Sequence, residues 1–159
     1  TLSGTFQGNR WTISPYFNAP NCTDFSRVFQ KCTSMTEMNP AIPSNTYSKG
    51  INFESAWAEC SSLTDFAANS FDSWSPTSVS NECFYLTWDG CSSLTPASVV
   101  NILNSIAASG QSAPSGTGTN DKKITIDWDG TGDPATTAAT AITTLKSRNW
   151  EIYLNDVLQ

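Results

Sequence analysis

The sequence predicts an α/β solenoid: a coil of short repeated units along one parallel sheet, finished by two larger β/α units. Three observations predict it. The frame FSRVFQKCTSM at Phe25–Met35 returns as FESAWAECSSL at Phe53–Leu63 and as FYLTWDGCSSL at Phe84–Leu94. Its cysteines, Cys32, Cys60 and Cys91, stand 28 and 31 residues apart, inside the 20–50-residue range of stacked repeats that bury their faces only against neighbours. After Leu94 the repeat gives way to alternating helical and strand patterns, as expected of a terminal unit that must turn a polar face to water.

The repeat comes first in the chain. Each copy carries an apolar residue, an aromatic four positions on (Phe29, Trp57, Trp88) and a cysteine three further. A fourth copy lies upstream as Leu2, Phe6 and Asn9, with asparagine in the cysteine's place. The spacing i, i+4, i+7 predicts that all three side chains share one face of a short helical turn. The Pro-, Ser- and Asn-rich stretches 39–52 and 67–83 then read as insertions on one side of the coil. Asn9, Cys32, Cys60 and Cys91 are expected to form a ladder of small buried residues whose polar atoms meet the turn backbone.

The last third reads as a cap. Thr95-Pro96 pairs an N-cap with a proline at the first helical position, and Val99, Ile102, Leu103 and Ile106 make the apolar stripe of a helix that Gly110 closes. Lys123–Trp128 alternates as a strand with Ile124, Ile126 and Trp128 on one face. Asp133-Pro134 opens a second helix with the stripe Ala138, Ala141, Ile142 and Leu145, and Trp150–Leu154 is a final strand. One domain over 1–159 is expected, with repeats in 1–94 and the cap in 95–159, as a piece of a longer protein.

Composition limits the chemistry. Eight Lys plus Arg against fourteen Asp plus Glu give a formal net charge of −6, which disfavours nucleic acid and anionic membrane surfaces as partners. No apolar run reaches the ~20 residues of a membrane span, so no membrane insertion is expected. There is no histidine, which removes Ser–His and Cys–His nucleophile pairs and imidazole metal sites.

The phrase W-x-x-C-S-S-L-T, present as Trp57–Thr64 and Trp88–Thr95, resembles the leucine-rich-repeat units of BspA-type bacterial surface proteins. The ending, with Val99–Ile106, Ile124–Trp128, Ala135–Leu145 and Asn149-Trp150-Glu151-Ile152, resembles the C-terminal cap of such repeats in phage tail and structural proteins. Asn149 replaces the family's glycine before the tryptophan, and asparagine also tolerates the left-handed conformation. The resemblance implies a right-handed leucine-rich-repeat solenoid and non-catalytic recognition, in a phage tail fibre or other virion surface protein that contacts the host. The implied partners are a host polysaccharide or surface protein and the rest of a larger chain or particle. A bacterial cell-surface adhesin and a virion assembly or decoration module are the alternatives.

Residues outside the repeat carry the remaining candidates. Tyr16, Tyr47, Trp74 and Tyr153 fall in insertions or on the outward face of the last strand, where aromatics can stack on sugars or contact peptides. Asp127, Asp129 and Asp133, with Thr131 between them, supply an oxygen at every second position of a glycine-containing loop, as in the first half of a calcium site. Its second half fails at Ala135 and Ala138, and each acid has an ordinary structural role, so no cofactor is expected other than calcium at that loop. Asp127 with Glu151 is the best candidate among carboxylate pairs for a glycan hydrolase. The odd count of five cysteines rules out complete pairing, and none of them has zinc spacing. A disulfide between Cys22 and Cys83 is left as an alternative.

Overall fold

The computed structural model describes residues 1–159 and is mixed α/β, with one four-stranded sheet and three helices. The order along the chain is β1 (Phe84–Trp88), α1 (Pro96–Ala108), β2 (Lys123–Ile126), α2 (Pro134–Thr137), α3 (Ala139–Ser147), β3 (Glu151–Leu154) and β4 (Val157–Leu158). The strands lie in the order β1-β2-β3-β4. The first three are parallel, but β4 returns antiparallel beside β3, so the sheet is not wholly parallel. Asn155 and Asp156 make that reversal with φ of +44° and +62°, the left-handed pair that a two-residue hairpin needs.

The repeated copies are not helical turns. Each is a run of tight turns in which alternate amides bond three residues back, as Thr5 to Leu2, Gln7 to Gly4 and Asn9 to Phe6. The third residue of the first and last turn takes positive φ: Gly4 and Gly8, Arg27 and Lys31, Ser55 and Glu59, Leu86 and Gly90. That is the type II geometry, which favours glycine; at the five non-glycine positions the left-handed backbone costs of order 1–2 kcal/mol each. The intervening amides offset that cost by bonding to the next copy. Leu2, Gly4, Phe6 and Gly8 donate to Asp24, Ser26, Val28 and Gln30, and the same fourfold pattern joins Phe25–Lys31 to copy three and Phe53–Glu59 to copy four.

A second wall runs opposite. The amides of Thr36, Thr64 and Thr95 donate to the carbonyls of Thr12, Thr36 and Thr64, and their hydroxyls donate to the same three carbonyls at 2.9–3.2 Å. Between the walls lie two aromatic columns. Phe25, Phe53 and Phe84 stack at 5.2 and 5.4 Å with interplanar angles of 5° and 8°. Phe6, Phe29, Trp57 and Trp88 stack at 5.3, 6.2 and 5.6 Å. These separations fall in the favourable range for aromatic pairs.

The cap closes the core. In α1, Thr95 caps the N-terminus by accepting from the Ser98 amide, Pro96 occupies the first turn, and Val99, Ile102, Leu103 and Ile106 are fully buried. The second expected helix is broken into α2 and α3 at Ala138, where φ and ψ are −95° and 17°. Just before the break, the Thr137 hydroxyl donates to the Asp133 carbonyl, the back-bonding that bends helices. The expected strand to Trp128 ends at Ile126; Trp128 is half-buried and donates its indole N–H to the Thr131 carbonyl at 3.2 Å.

Candidate functional site

The cysteine positions are structural in their contacts. Cys32, Cys60 and Cys91 each donate a thiol to the carbonyl of the aromatic in the preceding copy: Phe6, Phe29 and Trp57, at 3.1, 3.1 and 3.2 Å. Asn9, in the first copy, accepts from the Trp11 amide instead. Burial pushes the Cys83 and Cys91 thiols up, and the Cys32 side chain followed by burial does the same to Cys60, while the Cys60 side chain draws the Cys32 thiol down to about 7. A thiol kept protonated is a poor nucleophile. All five cysteines are free, so Cys22 and Cys83 form no disulfide.

Two of the aromatic candidates are not at the surface. Tyr47 is 3% exposed, its ring enclosed by Phe17, Phe25, Phe53, Trp57 and Phe71. Trp74 is fully buried and donates its indole N–H to the Gly50 carbonyl at 2.6 Å. The insertions fold back and plug the aromatic columns, because an insertion between two flat columns gains more by burying its aromatic than by displaying it. Tyr47 does reach the floor of a cleft of about 230 Å³ between the insertions, but no charged side chain lines that cleft. Tyr16 is exposed at the opposite end of the molecule from the sheet's last strands.

The acidic loop does not gather. Asp129 accepts from the Thr131 amide and hydroxyl, both at 2.8 Å. Asp133 accepts from the Thr136 amide and hydroxyl, which hold its carboxyl below the usual aspartate range. Asp127 turns the other way and accepts from the Gly90 amide at 2.8 Å. No group of three or more His, Cys, Asp or Glu side chains is arranged to hold a metal ion. Asp127 and Glu151 are also apart. Glu151 is the register partner of Lys123, four residues before Asp127, a separation of roughly 13 Å at ~3.3 Å per strand residue. That exceeds the ~5–9.5 Å of glycosidase carboxyl pairs.

Tyr153 is where the outward side chains converge. Parallel register sets β2 beside β3 as Lys123↔Glu151 and Thr125↔Tyr153. Lys123 is half-buried; its ammonium sits 4.9 Å from the Tyr153 ring centre and 5.9 Å from that of Tyr85 on β1, and it donates to Asn120 Oδ1 at 3.0 Å. Two adjoining clefts, of about 530 and 290 Å³, share Lys122, Glu151 and Tyr153. The Gly116–Thr119 loop borders one, and Lys146, Asn149 and Gln159 border the other. Asp121, itself buried, braces that loop by accepting from the Gly118 amide at 2.7 Å.

The groove therefore offers three lysines, one carboxylate, two threonine hydroxyls and two aromatic side chains, Tyr153 and the buried Trp150, on the sheet. In a chain of net charge −6, that is a local reversal of sign. Such a surface suits a hydroxyl-rich or anionic ligand, bound by donors and stacking. The outward alternation of Tyr153 was readable in the sequence. The lysines were not, since Lys122, Lys123 and Lys146 meet only once β2, β3 and α3 are packed. Comparison of the chain with protein-family models, with curated proteins and with solved structures finds no match.

Proposed function

We propose that the chain is a short right-handed solenoid of the leucine-rich-repeat type that acts as a non-catalytic recognition module, carried by a phage tail fibre or other virion surface protein. Its ligand is a host-surface polysaccharide, hydroxyl-rich or acidic, held in the groove around Tyr153. The stacked copies and their continuous cores support the solenoid reading, and the motif W-x-x-C-S-S-L-T supports the setting. The observation that carries the ligand class is the gathering of Lys122, Lys123, Lys146 and Tyr153 along adjoining clefts on an otherwise acidic protein.

The test is binding of the 159-residue chain to immobilised neutral and acidic polysaccharides. Tyr153→Ala and Lys122→Ala are each expected to weaken binding by about tenfold, the size of one stacking or charge-assisted contact, while Tm changes by less than about 2 °C. Undiminished binding in both variants would move the ligand elsewhere. Release of soluble saccharide from the immobilised polymer would overturn the non-catalytic reading.

A further inference from the structure

The stack ends at copy one with two walls of backbone groups that no further copy meets. In the turn wall the amides of Thr5, Gln7 and Asn9 are used inside their own turns, and those of Leu2, Gly4, Phe6 and Gly8 are used on copy two at 2.8–3.0 Å. The carbonyls that face away are those of Thr1, Ser3, Thr5 and Gln7, the counterparts of Asp24, Ser26, Val28 and Gln30. None of the four accepts a backbone hydrogen bond. The threonine amides run in the opposite sense, although in the same wall the Ser14 and Met38 amides point onward, to the Glu37 and Asp65 carbonyls. Thr12 gives its carbonyl to Thr36, while its own amide donates to nothing in the chain.

Apolar surface fills the space between these walls. Trp11, Ile13 and Tyr16 are 38, 48 and 60% exposed, three of the five large hydrophobics on the surface, and Trp11 packs edge-on against Phe6 at 5.4 Å. Acceptors along the turn wall, the free Thr12 amide and Ile13 carbonyl on the other wall, and an aromatic surface between them describe half of an interface. The other half is displayed three times within the molecule, where copy one meets two, two meets three and three meets four.

We propose that this end is a docking surface for one more turn of the same repeat, supplied from outside residues 1–159. The incoming segment donates alternate backbone N–H groups to the carbonyls of Thr1, Ser3, Thr5 and Gln7, offers a carbonyl to Thr12, and lays an aromatic ring over Phe6. A second copy of this chain does not meet these requirements. Two-fold pairing of the same patch would set carbonyl against carbonyl. Head-to-tail pairing would bring up β4, an antiparallel strand of two residues, which lacks four donors at alternate positions. The inference is independent of the polysaccharide reading, because the groove around Tyr153 lies at the other end of the stack.

A tandem duplicate of residues 2–24, inserted between Thr1 and Leu2 of the full chain, tests the surface directly. The spacing matches that between Leu2 and Phe25. Docking is expected to raise Tm by on the order of 5 °C and to slow amide exchange at the original Thr12 by about tenfold or more, with the protein monomeric by sedimentation. Gly4→Pro with Gly8→Pro, made in the duplicate only, removes two donors and forbids the positive φ of its turns, and is expected to abolish both effects without touching the parent fold. An unchanged Tm with unchanged Thr12 exchange would overturn the proposal. So would a gain that survives the prolines, or a dimer of the unmodified chain that already protects Thr12.

Discussion

Single side chains in this protein are placed by their position in a copy. Cys32, Cys60 and Cys91 are at most 1% exposed, each with its thiol turned to a carbonyl one copy back, whereas Cys22 is half-buried. A disulfide-exchange reagent is therefore expected to titrate about one thiol in the native protein and all five after denaturation. A second fast native thiol would mean that the ladder opens. Spacing in the sequence was enough to bring Phe25, Phe29 and Cys32 to one interior face. It was not enough to tell a helical turn from a chain of tight turns, since both return residues four and three apart to the same side. The discriminating signal is at the third and seventh positions, occupied by Gly4 and Gly8 in copy one and by Gly90 in copy four. Arg27, Lys31, Ser55, Glu59 and Leu86 take the same conformation without glycine and conceal it.

At the scale of elements, α1 was legible in full, because its cap, first-turn proline and stripe all agree. Thr95 has a double role: its hydroxyl accepts from the Ser98 amide at 3.3 Å and donates to the Thr64 carbonyl at 3.2 Å. Thr95→Val keeps the shape and removes both, and a loss of about 1–2 kcal/mol is expected, read as a fall in Tm of about 2–8 °C. A fall confined to a few tenths of a degree would mean that neither bond matters. The hairpin to β4 is only faintly legible, although Asn155-Asp156 between Leu154 and Val157 is a fair turn signal. The strand it introduces is only two residues long and has no alternation to detect. The threonine wall was half legible. Thr64 and Thr95 stand in the repeated phrase, but Thr12 follows Asn9 by three residues where Thr36 follows Cys32 by four.

For the whole molecule, charge is unevenly distributed. Lysines collect along the groove, while Asp89 lies near Asp127, Asp156 and Glu59 at the edge of the stack. Burial first, and then those three carboxylates, push the Asp89 carboxyl up. A carboxyl raised in the folded state favours folding below its ordinary value of ~3.9 and disfavours it once pH climbs through the raised one. Asp89→Asn is accordingly expected to raise Tm at pH 7, and the advantage should vanish below about pH 4. A variant no more stable than the parent at pH 7 would show that the neighbouring carboxylates are screened.

The direction of the turn-wall bonds has one more consequence. In ordinary sheets the peptide dipoles of successive residues alternate and largely cancel. Here the inter-copy amides of Leu2–Gly8, Phe25–Lys31 and Phe53–Glu59 all point from copy one toward copy four, and the alternate ones are folded into turns. The wall is thus electrically polar along the stack, as a helix is along its axis: negative at the bare carbonyls of copy one and positive at its far end. Gly90 holds the ladder's last amide, and Asp127 puts a carboxylate on it, as an acidic residue does at the start of a helix. The aspartate that the sequence offered as a metal ligand or a catalytic acid is the electrostatic stopper of that ladder.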